Sequence, residues 1–143
     1  MVFSPKRNTM TMVEDRYYSD DLLADILRQY HSAVEIVPVA PGPIEDAYEK
    51  VLQTTSESDL CIVATVNAHL DEQQAELVRR LVASGRRIIV MAVRNPYDLQ
   101  AFPQLRTYLV TYEYTRPALV AAARVLFGEK QAQGHLPVTI PGL

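Results

Sequence analysis

Two continuous apolar runs, separated by an amphipathic segment, constrain the fold of this chain more than any other feature. The runs are Leu60–Val66 and Ile88–Val93, and the segment between them is Asp71–Ser84. Apolar runs of this length without polar alternation are typical of strands that are covered on both faces. A helix between two such strands makes a β–α–β unit, so we expect a parallel sheet flanked by helices.

The rest of the chain continues this alternation. Apolar spacing predicts strands at Met1–Phe3, Val34–Val39 and Tyr108–Tyr112, and helices at Asp20–Tyr30, Ile44–Ser56 and Leu119–Phe127. The expected helix caps are Ser19, Asp71 and Thr115, with Gln74 at a capping-box position and Gly85 and Gly128 as helix ends. Pro38 lacks a backbone donor, which places its strand near a sheet edge. The pattern predicts the α/β class: a three-layer α/β/α sandwich with a mostly parallel, flavodoxin-like sheet.

Length and composition describe a single domain. The 143 residues are 48% hydrophobic and 22% charged, which suits one packed unit over residues 1–143 with a tail at 134–143. A complete (β/α)₈ barrel needs roughly 250 residues and does not fit. The net charge of −3 offers no electrostatic reason to bind nucleic acid. No apolar run reaches the roughly 18 residues of a membrane helix, so no membrane segment is expected.

The sequence lacks the motifs of the common cofactor-binding and catalytic proteins of this class. Its five glycines lie singly at turns and helix ends, so no phosphate-binding loop for a dinucleotide, FMN or NTP is formed. No G-x-S-x-G nucleophile elbow is present, and nothing spaces ligands for a zinc site. Cys61 lies within a buried run and is expected to be an inert core residue. We therefore expect no cofactor and no metal, and we assign no catalytic residue.

The loops that follow the strands hold the candidate functional residues, because ligands of parallel open sheets bind beyond the carboxyl ends of the strands. These loops are 4–13, 65–70, 94–98 and 113–115. The candidates for a substrate rim or a domain interface are Asn67, His69, Arg94, Asn95, Tyr97 and Asp98.

Two interpretations are open for each group of candidates. Asn67 and His69 either offer hydrogen bonds or a proton relay, or Asn67 satisfies the turn and His69 is simply exposed. Arg94 and Asp98 either grip sugar hydroxyls or a neighbouring domain, or form a local turn. In that turn Asp98 would cap Leu99–Phe102 and pair with Arg94.

Acidic residues near the strand ends give no clear catalytic pair. Retaining hydrolysis of glycosides usually needs two carboxyl groups about 5 Å apart. Glu14 and Asp15 lie in a long loop that could face a cleft, but solvated surface carboxylates are more common. Asp71 and Glu72 open a helix, where acids are favoured by electrostatics alone.

Tyrosines near the strand ends are a further candidate surface, because their rings can line a carbohydrate site. They are Tyr17, Tyr18, Tyr108, Tyr112 and Tyr114. Of these, Tyr108 and Tyr112 are expected to pack in the sheet.

Several blocks of the sequence together resemble a known family. They are Asp59–Thr65, Asn67–His69, Gln73–Ser84, the stretch RIIVMAVRNPYDLQAFPQLRTYLVTYEYT, Val125–Glu129 and Gly134–Pro141. In combination they resemble the C-terminal domain of family 3 glycoside hydrolases, and the most similar subgroup is the two-domain bacterial β-N-acetylglucosaminidases (β-hexosaminidases). The resemblance covers about Asp59 to Gly142, and the N-terminal third matches more loosely.

The resemblance implies an α/β sandwich attached behind a catalytic (β/α)₈ barrel that carries the nucleophilic aspartate. In the N-acetylglucosaminidase subgroup the acid/base pair, a histidine and an aspartate, also lies in the barrel. In the β-glucosidase subgroup a glutamate of the second domain is the acid/base residue. No family nucleophile can be assigned to a position of this chain. The tail at Gly134–Pro141 is expected to wrap the domain.

The leading hypothesis is that the chain is an isolated C-terminal domain that is inactive alone. Its partner would be the catalytic barrel, and the two would share a cleft for an amino-sugar glycoside. The parent enzyme is expected to be secreted or attached to the bacterial cell envelope. The alternative is a free-standing carbohydrate-binding or regulatory module. A third hypothesis is a small flavodoxin-like enzyme.

Overall fold

The structure, a computed structural model, describes residues 2–3, 18–39, 42–57 and 59–142. Its strands are β1 Val2–Phe3, β2 Leu60–Thr65, β3 Arg87–Ala92 and β4 Tyr108–Val110. Its α-helices are α1 Leu22–Arg28, α2 Ile44–Thr54, α3 Glu72–Ala83 and α4 Arg116–Leu126, and two 3₁₀ helices cover Ala68–Leu70 and Pro96–Ala101. Some positions named above lie outside the described residues: Met1, the loop 4–13, Glu14, Asp15 and Tyr17.

The four strands form one sheet in the order β1-β2-β3-β4, and each neighbouring pair is parallel. The longest ladder joins β2 to β3, from Leu60 opposite Arg87 to Thr65 opposite Ala92. These are the two apolar runs of the sequence, so the predicted β–α–β unit is confirmed. A flavodoxin-like sheet has one more strand, on the far side of β1.

Alternate side chains of the central strands enter two separate cores. Cys61 and Val63 of β2 contact the core under α2 and α3, whereas Ile62 and Ala64 contact the core under α1 and α4. The period of two follows from the strand geometry, which points successive side chains to opposite faces. The sheet is therefore covered on both sides, and the α/β/α sandwich is confirmed.

The predicted strand at Val34–Val39 is wrong. The structure has only isolated bridges there, at Ile36 and Val39. Pro38 has no N–H to donate to a ladder, which limits the pairing of this segment. Val37, which is 2% exposed, still packs in the core under α2 and α3. The segment therefore contributes to the core and makes isolated bridges in place of a continuous strand.

The boundaries of α3 and α4 follow the predicted caps with two corrections. The Asp71 carboxylate accepts the N–H groups of Gln73 and Gln74, as expected for a cap. Gln74 does not close a capping box: its side chain pairs with both backbone groups of Val66, and it donates to Asp71. Thr115 occupies the cap position of α4, but its hydroxyl donates to Glu113 instead.

Two glycines end helices in the left-handed region. Gly85 follows α3 and Gly128 follows α4, each with φ of +76°. A side chain is strained at such angles, which explains why glycine stands at both positions.

Two further expectations concern a buried thiol and the tail. Cys61 is fully buried, and burial raises the pKa of its thiol, so its assignment as an inert core residue is confirmed. The tail does not wrap the domain closely: residues 131–139 are all exposed, and Ile140 is its buried contact. Among the described helices, none has the length and apolarity to cross a membrane.

Tyr114 joins the first helix to the loop after β4. Its buried hydroxyl donates to the backbone oxygen of Asp20 at 2.8 Å and accepts the N–H of Leu23 at 3.2 Å. The predicted cap at Ser19 is wrong, because Asp21 occupies the cap position of α1; the Ser19 hydroxyl instead accepts the N–H of Asp21 at 3.1 Å. A side chain distant in sequence therefore completes the cap of α1.

Replacing Tyr114 with phenylalanine is expected to destabilise the domain by about 1–3 kcal/mol, because the N–H of the buried Leu23 and the backbone oxygen of the half-buried Asp20 lose their partner. Urea unfolding of the purified chain measures the loss. Tyr112→Phe is the matched control, since Tyr112 is 45% exposed, and it should stay within about 0.5 kcal/mol of the wild type. Equal stability of the two variants would contradict the capping role.

Candidate functional site

The carboxyl ends of β2 and β3 bring their two following loops into contact. The loop after β2 contains the 3₁₀ helix Ala68–Leu70, and the loop after β3 contains the 3₁₀ helix Pro96–Ala101. The two 3₁₀ helices pack against each other. Residues that are about thirty positions apart in the sequence thus form one cluster, as the parallel topology requires.

A buried carboxylate lies at the centre of this cluster. Asp98 is 0% exposed, and its Oδ2 accepts the hydroxyl of Thr65 at 2.7 Å. Its Oδ1 is 2.9 Å from Nδ1 of His69, whose side chain is 20% exposed. A carboxylate removed from water in this way needs such partners, because an unpaired buried charge is strongly unfavourable.

These contacts overturn two of the open interpretations. His69 is not simply exposed, since its ring is held against Asp98. Asp98 does not cap Leu99–Phe102: it lies inside the 3₁₀ helix Pro96–Ala101. The cap of that helix is Asn95, whose side-chain oxygen accepts the N–H of Tyr97 at 3.0 Å.

Two asparagines make a second bridge between the loops. The amide of Asn95 donates to the side-chain oxygen of Asn67. Asn67 itself has φ of +53°, and its backbone oxygen accepts the N–H of Leu70 at 2.9 Å. Asparagine tolerates the left-handed region better than most residues, so Asn67 satisfies the turn as predicted and also joins the two loops.

The remaining two candidates lie beside these bridges. The ring of Tyr97 is 6.1 Å from that of His69 between centroids, tilted by 56°. Arg94 is half-buried and directly precedes Asn95. The structure therefore places all six candidates at one edge of the sheet, while their contact with a substrate or a second domain stays a prediction.

Sequence reasoning missed two residues of this cluster. Thr65 was counted in an apolar run, although it shares a face of β2 with Cys61 and Val63 and is the polar residue that ends the strand. Tyr108 donates its hydroxyl to the backbone oxygen of Pro96 at 3.1 Å. Burial, and secondarily the Asp98 carboxylate, raise the pKa of Tyr108 above its usual value. Tyr108 is half-buried against the α2–α3 core, so its predicted packing is confirmed.

The other tyrosines divide differently from the prediction. Tyr112 does not pack in the sheet: it is 45% exposed and has φ of +63°. Tyr114 is buried at 4% exposure and is a core residue, so it offers no surface to a carbohydrate. Tyr18 is half-buried against the core under α1 and α4.

The two acidic residues that open α3 have structural partners. Asp71 caps α3, and Glu72 pairs with Arg79 on the outer face of that helix. Within the described ranges, no group of three or more histidine, cysteine, aspartate or glutamate side chains is arranged to hold a metal ion. The chemistry that the cluster can offer is hydrogen bonding through a histidine ring, amides and tyrosine.

The comparisons with known proteins match the whole described architecture. The model of the glycosyl hydrolase family 3 C-terminal domain matches residues 6–142. A β-N-acetylglucosaminidase of glycoside hydrolase family 3 from Paenibacillus sp. str. FPU-7 is 28% identical with a TM-score of 0.82, over 95% of this chain and 26% of that one.

A second solved structure is a fungal multi-domain family 3 β-N-acetylglucosaminidase with a GCN5-related glucosamine N-acetyltransferase region. It is 30% identical with a TM-score of 0.72, over 98% of this chain and 18% of that one. The chain thus spans about a quarter or less of the length of these proteins. The family match over nearly the full length, together with the shared fold, shows that the chain belongs to the glycosyl hydrolase family 3 C-terminal domain family.

Proposed function

We propose that the chain is the non-catalytic partner domain of a β-N-acetylglucosaminidase-type glycosidase. In this proposal a separate catalytic domain carries the hydrolytic residues. The carboxyl edge of the present sheet contacts that domain and forms one rim of the cleft for an amino-sugar glycoside. Family membership supports the domain assignment, and the two multi-domain relatives support the presence of a catalytic partner.

The single observation that carries the proposed contact is the bridged pair of loops at the carboxyl edge. Two interactions, His69 with Asp98 and Asn67 with Asn95, join these loops into one unit. A surface whose polar groups are held in place before binding loses less conformational freedom when a partner or sugar is bound. This is the property expected of a rim, and ligands of parallel open sheets bind at this edge.

Reconstitution in trans tests the proposal. The Paenibacillus enzyme is prepared without the segment that this chain matches, and hydrolysis of a chromogenic N-acetylglucosaminide is measured with the 143-residue chain added back. We expect the added chain to raise the activity of the truncated enzyme. The positive control adds the enzyme's own segment, and the negative control adds the chain with Asn95→Ala and Tyr97→Ala. Rescue by the native segment and none by this chain would count against the proposal.

A free-standing carbohydrate-binding module is the competing function. It predicts saturable binding of N-acetylglucosamine by the chain alone in calorimetry. The proposed function predicts that binding and turnover both require the catalytic domain.

A further inference from the structure

The buried carboxylate of Asp98 fixes the orientation of the His69 ring. Three groups reach it: the Thr65 hydroxyl donates to Oδ2 at 2.7 Å, His69 Nδ1 lies 2.9 Å from Oδ1, and the His69 backbone N–H lies 3.5 Å from Oδ1. Both oxygens are thus engaged, and Asp98 is 0% exposed. The side chain of His69 cannot turn away without leaving Oδ1 short of a donor, which is costly inside a protein.

This arrangement determines which ring nitrogen of His69 faces outward. With Asp98 ionised, its oxygens only accept hydrogen bonds, and Nδ1 of His69 then carries a proton. In the neutral ring Nε2 then has a free lone pair. Within the part of the chain that the structure describes, no hydrogen bond is made to Nε2 of His69. The ring is 20% exposed at the carboxyl edge, with the Tyr97 ring 6.1 Å away.

The position of His69 in the sheet is that of a ligand site. The helix after β1, α1, packs on one face, whereas α2 and α3 pack on the other. Both α1 and α2 lie between β1 and β2 in the sequence, and they pack on opposite faces of the sheet. His69 lies in the loop that follows β2, and ligands of open α/β sheets bind outside the carboxyl ends of the strands.

We propose that Asp98 and Thr65 are positioning residues that present Nε2 of His69 as a hydrogen-bond acceptor for a hydroxyl or amide N–H of a bound glycoside. The choice of a glycoside rests on the proposed function. The fixed orientation of the His69 ring does not depend on the proposed function, and it is tested separately.

Nitrogen-15 NMR of the histidine rings in the purified chain tests the orientation. We expect neutral His69 to be the Nδ1–H tautomer. His31 is the internal contrast, because its Nδ1 accepts the N–H of Ala33 at 3.3 Å and its neutral ring should be the Nε2–H tautomer. Asp98→Asn should abolish the Nδ1–H preference of His69 and leave His31 unchanged. A wild-type His69 in the Nε2–H tautomer overturns the proposal, and this measurement needs no variant to fold.

The ligand is tested in the reconstituted enzyme described above. Saturating N-acetylglucosamine should shift the Nε2 resonance of His69 and leave those of His31 and His135 in place. Asp98→Asn should raise the KM about tenfold, as for the loss of one hydrogen bond, with a smaller change in kcat. A reconstituted, active enzyme whose His69 signal does not move with sugar refutes the ligand assignment. If this chain does not restore activity while the enzyme's own segment does, the proposed function is refuted instead. The positioning role of Asp98 is then still decided by the tautomer of His69 in the purified chain.

Discussion

Replacing His69 with alanine is expected to destabilise the domain by about 1–3 kcal/mol, because the buried Asp98 carboxylate loses the ring that pairs with its Oδ1. The Thr65 hydroxyl is then the remaining side-chain partner of Asp98, which is 0% exposed in the wild-type structure. Since domains of this size have a free energy of unfolding of about 5–15 kcal/mol, this is a large fraction of the total.

Urea unfolding of the wild type and of His69→Ala at neutral pH measures this effect. Adding Asp98→Asn to His69→Ala should recover part of the stability, which gives a coupling energy for the pair. His135→Ala, in the exposed tail, is the matched control and should stay within about 0.5 kcal/mol of wild type. A His69→Ala variant as stable as this control would show that the pair does not hold the two loops.

Replacing Phe102 with alanine should have the second large effect, a loss of about 3–5 kcal/mol in the free energy of unfolding. Phe102 is 1% exposed and is the largest fully buried side chain described. It follows the 3₁₀ helix Pro96–Ala101 and fills the core under α2 and α3, beside residues such as Leu81 and Val90. The alanine variant would leave a cavity between that loop and the sheet.

Phe127→Ala is the same chemical change at an exposed site. Phe127 is 42% exposed and stacks on Tyr30 with ring centroids 4.8 Å apart. Loss of that stacking should cost about 1 kcal/mol. If urea unfolding gave equal losses for the two phenylalanines, the core assignment of Phe102 would be wrong.

The sequence predicted the central architecture because that architecture follows from local patterns. The runs at Leu60–Val66 and Ile88–Val93 are typical of strands covered on both faces, and the strands of the structure differ from them by one residue at the boundaries. The segment Val34–Val39 has a similar apolar composition but formed no ladder. Whether an edge segment pairs depends on the neighbouring strand and on available donors, which composition alone does not reveal.

The sequence predicted where the candidate site residues lie, but not which side chains contact one another. Topology was enough to place Asn67, His69 and Asp98 at the same edge of the sheet. The partners of Asp98 depend on the direction in which its side chain points. The local sequence favoured Asp98 as a helix cap, whereas its hydrogen-bond partners in the structure are about thirty positions away in the sequence. Thr65 was missed for the same reason, since its hydroxyl gains a role only when the second loop folds over it.

The central claim is that hydrolysis belongs to a catalytic domain that this domain assists. The most direct measurement is the rate at which the purified 143-residue chain alone releases the chromophore from an N-acetylglucosaminide. We predict a rate equal to the buffer blank at every chain concentration. Release that rises in proportion to the concentration of the chain would contradict the claim, because it would place the catalytic residues within this domain.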